Sequence, residues 1–190
     1  MGLYFEPTNK TVKGYLGLYR GNDIINYTKN TKELSTLINW FFINSRNGQD
    51  VVYNEKNKKM IVKLYQALKQ KKWEGDLVCF TDTAPVEMPD FTFLGYDICA
   101  DSMYYSPIGD GFLTEYNKYP RFYTDMSFGR YSEYRNNVNA NWLFSSYEMA
   151  IEFSNYCNYI NQKDLYCIES EDHWRPFAIC RYNLYCRYNL

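Results

Sequence analysis

The stretch NEKNKKMIVKLYQALKQKKWEGDLVCFTD, residues 54–82, contains two hydrophobic patterns one after the other. Its first part has apolar residues every three or four positions, which is the spacing of one face of an α-helix. These residues are Met60, Ile61, Leu64, Tyr65 and Leu68. After Gly75, residues 76–82 form a short apolar run that is typical of a β-strand. The stretch therefore predicts a helix followed directly by a strand.

The chain before this stretch predicts one more strand and one more helix. TVKGYLGLYRG, residues 11–21, has apolar and aromatic residues between glycines, which favours a strand that stops at a turn. NTKELSTLINWFFINSRNG, residues 30–48, again has the helical spacing, with Thr31 or Asn30 able to cap its start and Gly48 able to end it. Its apolar face consists of Leu34, Leu37, Ile38, Phe41 and Phe42.

The chain after the stretch predicts strands around a third helix. FTFLGYDICA, residues 91–100, has the composition of a strand, whereas residues 101–141 show no clear periodicity. Residues 144–160 predict a helix that begins with a capping box, Ser145-x-x-Glu148. Its apolar face consists of Ala150, Phe153, Cys157 and Ile160. The segments 164–170 and 176–184 predict two closing strands, joined in a hairpin around EDHWRP.

This order of elements predicts an α+β fold, in which a mainly antiparallel sheet is covered on one side by about three helices. A length of 190 residues fits one domain, residues 1–190. The pentapeptide CRYNL occurs at 180–184 and again at 186–190. Five residues are too few for a repeat unit, so we interpret residues 185–190 as an extension of the last strand.

Composition limits the classes of protein to be considered. No run approaches the roughly 20 apolar residues of a membrane span, and the first ten residues do not resemble a signal peptide. We therefore expect a cytoplasmic protein without a membrane partner. The six cysteines form no C-x-x-C pair, so we expect buried thiols and no metal site.

Charge is distributed unevenly along the chain. Residues 1–75 contain 13 Lys and Arg against 6 acidic residues, and the remainder contains 8 against 16. Lys56, Lys59 and Lys63 lie opposite the apolar face of the second helix, where they predict a solvated surface or, alternatively, a phosphate-binding strip. A pI of about 5.9 and the lack of a nucleic-acid-binding motif argue against nucleic acid.

The segment YCIESEDHWRP, residues 166–176, concentrates titratable groups. Glu169 and Glu171 would point to the same face of a strand, an arrangement compatible with acid-base chemistry. His173 is a candidate general base or metal ligand, but the chain has no second histidine to complete a zinc site. Cys167 has no evident base beside it. The simpler interpretation is the polar end of a hairpin.

Three short motifs resemble mono-ADP-ribosyltransferases of the Arg-Ser-Glu type. They are LYRG with Arg20, FSS with Ser145, and ESE with Glu169 and Glu171, in the family's order, although the family has Ser-Thr-Ser at the second motif. The resemblance implies NAD as the substrate, Arg20 on its phosphates and Glu171 on the nicotinamide ribose. Ser145 is equally explained as a helix cap.

The series FLGYDICADSMYYSP, NWLFSSYEMAIEFSNY and WRPFAICRYN resembles small bacterial and phage proteins of the immunity and counter-defence kind. That resemblance implies a protein that binds and blocks another protein and has no cofactor. Its acidic, aromatic second half would then be attracted to a basic toxin or defence protein.

The tyrosine-rich segment 101–119 is the predicted contact surface for that partner. Its aromatic residues would be the anchors and its acidic residues the rim, unless the aromatic residues fill the core. They are Asp101, Tyr104, Tyr105, Asp110, Phe112, Glu115 and Tyr116. The sequence thus favours an inhibitor that binds a protein, with an NAD-dependent transferase using Arg20, Ser145, Glu169 and Glu171 as the alternative.

Overall fold

A five-stranded sheet, three α-helices and a short 3₁₀ helix (Ile24–Tyr27) form the regular structure of the described residues in this computed structural model. The described residues are 14–46, 48–82, 90–99, 133–134, 136–162 and 174–184. The strands are β1 (Gly14–Tyr19), β2 (Asp50–Val52), β3 (Asp76–Thr81), β4 (Phe91–Cys99) and β5 (Arg175–Tyr182). The helices are α1 (Lys32–Asn44), α2 (Glu55–Gln70) and α3 (Tyr147–Gln162).

The strand order in the sheet is β2-β1-β3-β5-β4, and β1 pairs antiparallel with both β2 and β3. The predicted α+β fold with its antiparallel sheet and three helices is confirmed. The chain divides into two compact units. The first unit includes β1 to β3, α1 and α2, and the second includes α3. The proposal of one domain over residues 1–190 stays a prediction.

Helices α1 and α2 begin at side chains that accept hydrogen bonds from their first turns. Thr31 Oγ1 accepts from the Leu34 backbone N–H at 3.1 Å, and Asn54 Oδ1 accepts from the Asn57 backbone N–H at 2.8 Å. These bonds satisfy donors that have no partner inside a helix, and they fix where each helix starts. Of the two predicted caps for α1, Thr31 is the one used.

The two helices pack on each other, and α2 packs on β1 and β3. The predicted apolar faces are buried, except for Phe42 of α1 and Met60 of α2, which is only partly buried. Phe41 is 1% exposed, whereas Phe42 is 36% exposed, so the prediction that Phe42 belongs to the buried face is wrong. Phe42 lies eight residues after Leu34, and at 100° per residue it is rotated to the edge of the stripe.

Strand β1 is buried at every position, since both of its faces are covered. Leu16 and Leu18 belong to the core beneath the helices. Tyr15 and Tyr19 point to the other face because side chains alternate along a strand, and both contact Phe80 of β3. Their ring centroids lie 4.9 Å and 6.3 Å from that of Phe80.

The turn that leads into β2 contains a partly buried ion pair that the sequence did not reveal. Arg46 Nε lies 3.0 Å from Asp50 Oδ1, and Asp50 is fully buried. The Arg46 guanidinium also lies 3.6 Å above the Tyr15 ring. Burial raises the pKa of Asp50 to about 6, although the Arg46 charge acts in the opposite direction. Gly48, with a φ of +75°, allows the tight turn between the two charged residues.

Helix α3 begins one residue later than the predicted capping box requires. The Met149 backbone N–H donates to Ser146 Oγ at 3.2 Å, so Ser146 is the capping residue and Ser145 is not. Ala150, Phe153 and Cys157 form its buried face as predicted, and the side chain of Ile160 lies outside the described part of the structure. The predicted strand 164–170, its hairpin up to His173 and the extension 185–190 lie outside the described residues.

Candidate partner-binding surface

Gly95 in β4 is the position at which a second backbone segment packs closely on this strand. Gly95 has a φ of +143°, and a Cβ placed there would lie 2.8 Å from the Phe144 carbonyl oxygen. Only glycine fits this conformation and this close approach of a second backbone segment. Tyr96 and Phe144 exchange backbone hydrogen bonds of 2.8 and 2.9 Å directly after it.

The side chain of Asn139 completes this junction. Its Nδ2 donates to the Leu94 carbonyl at 2.8 Å, and its Oδ1 accepts from the Asn141 backbone N–H at 2.8 Å. These bonds hold the segment that leads into α3 against β4. As a consequence, the Tyr96 ring lies next to the first turn of α3, 5.5 Å from the ring of Tyr147.

An exposed row of apolar side chains results, which we name the aromatic ridge. It consists of Phe93, Tyr96, Tyr147 and Ile151. The Phe93 and Tyr96 rings lie 5.0 Å apart with a T-shaped geometry, and Ile151 follows Tyr147 by one helical turn. Three of the four are substantially exposed, namely Phe93 at 40%, Tyr147 at 38% and Ile151 at 39%. Large apolar side chains exposed side by side are a recurrent feature of protein-binding sites.

Carboxylates border the aromatic ridge on α3. Glu148 and Glu152 are both exposed, and the 16 residues of the helix contain no Lys or Arg. The pKa of Glu148 is held below its ordinary value, first by a hydrogen bond from its own backbone N–H and then by one from the Ser146 hydroxyl. Glu152 accepts a hydrogen bond from the buried Tyr134 hydroxyl at 3.0 Å. The border of the ridge is therefore anionic at neutral pH.

Hydrogen bonds from α3 to the backbone of Trp174 hold the helix in place. Asn158 accepts from the Trp174 backbone N–H at 2.8 Å and donates to the Trp174 carbonyl at 2.9 Å. The hydroxyl of Ser154 donates to the same carbonyl. Because both backbone groups of Trp174 bond to α3, the helix has a defined position and the ridge is preorganised for binding.

The structure describes only some of the residues that the sequence proposed for function. The predicted contact residues Asp101, Tyr104, Tyr105, Asp110, Phe112, Glu115 and Tyr116 lie outside the described residues, as do Glu169, Glu171, His173 and Cys167. Arg20 directly follows β1 in the first unit, where it is partly buried and has a φ of 61°. Ser145 is exposed and belongs to the second unit.

The aromatic ridge was not predicted from the sequence, although a signal was present. Tyr147 and Ile151 are one turn apart, and both lie outside the apolar face formed by Ala150, Phe153 and Cys157. Apolar residues beside the buried stripe of an amphipathic helix indicate a second face that lacks a partner within the chain. Phe93 gave no comparable signal, because alternation in a strand places it with Phe91, which is buried.

The described thiols do not have the environment of nucleophiles. Cys79, Cys157 and Cys180 are buried. Burial raises the pKa of Cys180 to about 12, and burial, followed by the neighbouring Cys180, raises that of Cys79. Because the thiolate is the reactive form, these two cysteines are structural. Across the described ranges, no three His, Cys, Asp or Glu side chains are grouped to hold a metal ion.

Comparison with known proteins gives no further indication of function. No protein-family model, curated protein or solved structure matches this chain. In the part of the chain that the structure describes, no helix has the length and apolar character needed to cross a membrane. The function must therefore be inferred from the surface itself.

Proposed function

We propose that this protein binds and neutralises a protein partner, as an immunity protein or a counter-defence factor does, and that the aromatic ridge is part of the contact surface. The observation that supports this is the exposure of Phe93, Tyr147 and Ile151 in one row beside two carboxylates. Aromatic anchors within a polar rim are the usual composition of the energetic centre of an interface.

The charge of the second unit specifies what kind of partner fits. Residues 93–179 contain many more acidic than basic residues, and α3 contributes only acidic ones. A partner with a basic cleft, such as a nuclease, would be attracted over a distance and would then be blocked by the ridge. Inhibition of this kind is steric and needs neither a cofactor nor a catalytic residue.

The test begins with capture of a stoichiometric partner by the tagged protein from a related bacterial lysate. The partner is then purified, and its affinity is measured by calorimetry with the wild type and with Tyr147→Ala and Ile151→Ala. Ile43→Ala is the matched control, because Ile43 is an exposed isoleucine on α1 in the first unit. We expect each ridge variant to weaken binding about tenfold or more, and the control to change it less than about twofold.

The partner's own activity provides the second measurement. Wild-type protein should abolish that activity at an equimolar ratio, and the ridge variants should require a large excess. A partner that is held equally by all variants would contradict the assignment of the ridge. Heat on titration of NAD that disappears in Arg20→Ala would instead support the transferase alternative.

A further inference from the structure

A groove of about 640 Å³ lies along α2 in the first unit. Its described lining includes Glu55, Lys58, Lys59, Val62, Lys63, Gln66, Asp90 and Tyr182. From Glu55 to Gln66 the helix rises about 16 Å, at about 1.5 Å per residue. An extended peptide of about five residues has the same length, at about 3.3 Å per residue. The groove is independent of the aromatic ridge, which belongs to the other unit.

The three lysines of the groove differ in how firmly an ion pair holds their ammonium groups. Lys58 Nζ lies 3.2 Å from Asp90 Oδ2, with both side chains mostly buried, so this pair belongs to the floor. Lys63 Nζ lies 2.7 Å from Glu33 Oε1, but these two side chains are 58% and 69% exposed. An ion pair so exposed contributes little to stability, and Lys63 can exchange Glu33 for another carboxylate at small cost.

Lys59 is a second lysine of the groove that a ligand can reach. It is exposed, and among the described residues it forms no ion pair. Lys59 and Lys63 are four residues apart on the same side of α2, which places their Cβ atoms about 6 Å from each other. Alternate side chains of an extended peptide point the same way and are about 7 Å apart. Two carboxylates at alternate positions therefore match the two ammonium groups.

The lining also offers an apolar surface beside these cations. Val62 is partly buried and lies between Lys59 and Lys63 in the sequence, and Tyr182 of β5 is 9% exposed. The Tyr182 ring is held in place by edge-on contacts with Tyr65 and Phe91, at centroid distances of 6.0 and 5.4 Å. A fixed aromatic ring provides a contact surface without loss of conformational entropy on binding.

We infer that the groove along α2 binds an extended acidic peptide segment of a protein. In this complex, two carboxylates at alternate positions pair with Lys59 and Lys63, and a neighbouring apolar side chain packs on Val62 and Tyr182. The excess of positive charge in the first 75 residues favours the approach of such a segment. An acidic segment without the apolar residue would be held by charge alone and would bind weakly.

The test is fluorescence anisotropy with a labelled five-residue peptide that has Glu at positions 1 and 3 and Leu at position 5. We compare Lys59→Glu with Lys56→Glu, which makes the same change in net charge on the same helix but lies outside the groove lining. Lys59→Glu should weaken binding about tenfold or more, and Lys56→Glu less than about twofold. Both lysines are exposed, so both variants should fold, as checked by circular dichroism.

Two altered peptides separate the charged contact from the apolar one. Replacing both Glu by Gln should abolish binding, and replacing Leu by Ser should weaken it several-fold. Equal weakening by Lys56→Glu and Lys59→Glu would show general charge attraction and overturn the inference. It would also be overturned by an absence of binding at millimolar peptide, or by equal affinities of the Leu and Ser peptides.

Discussion

The buried carboxyl of Asp50 should make the stability of the first unit depend on pH in an unusual direction. Burial raises its pKa from 3.8 to about 6, so the folded state holds this proton more tightly than the unfolded state does. The stabilising effect is fully present below pH 3.8 and is lost as the pH rises through 6. A difference of about two pKa units corresponds to about 3 kcal/mol of unfolding free energy.

The variant Asp50→Asn isolates this effect from the titration of all other groups. Its side-chain oxygen can still accept the hydrogen bond from Arg46, but it cannot ionise. Urea unfolding, followed by far-ultraviolet circular dichroism at half-unit steps from pH 4 to 8, gives the free energy of unfolding of both proteins. We expect the wild type to lose about 2 kcal/mol of this stabilisation relative to Asp50→Asn between pH 4 and 7.

The exposed carboxylate Glu74 supplies the matched control, as Glu74→Gln removes one negative charge from the surface of the same unit. Its curve should stay parallel to that of the wild type. The reasoning is refuted if the Asp50→Asn curve is also parallel to the wild type. It is refuted as well if the wild type gains stability relative to Asp50→Asn as the pH rises, since that would mean a lowered pKa.

Two further predictions concern the support of the aromatic ridge. Asn158→Ala leaves the Trp174 N–H without the acceptor that Asn158 provides, so it should lower the free energy of urea unfolding by about 1–3 kcal/mol. Asn155→Ala, at an exposed position of the same helix, should change this free energy little. Ser146→Ala removes the α3 cap and should lower the unfolding free energy by about 1 kcal/mol, and Ser145→Ala should not. Equal effects within either pair would contradict the structure.

The fold class could be predicted because the helices and most strands carry their own periodic signals. The apolar spacing of α1 and α2 depends only on the geometry of a helix, so it is visible in the sequence. Strand β2 could not be predicted, because three residues are too short to show alternation. Its position is set by pairing with β1, where Leu16 lies opposite Val51.

The candidate surface was only partly predictable. The sequence indicated an acidic, aromatic second half, but it could not say which aromatic residues are exposed. Tyr147 and Phe153 are both aromatic residues of α3, yet one is 38% exposed and the other is fully buried. The segment 101–119, which the sequence favoured for binding, stays a prediction.

The sequence by itself determined the elements, the caps available to them and the distribution of charge, because these depend on neighbours within a few residues. The tertiary structure decided which side chains meet. The approach of Phe144 to Gly95 brings Tyr96 against Tyr147, and the turn at Gly48 buries Asp50 beside Arg46. These contacts join residues from separate elements or close a buried turn, so they depend on how the backbone packs rather than on any local pattern.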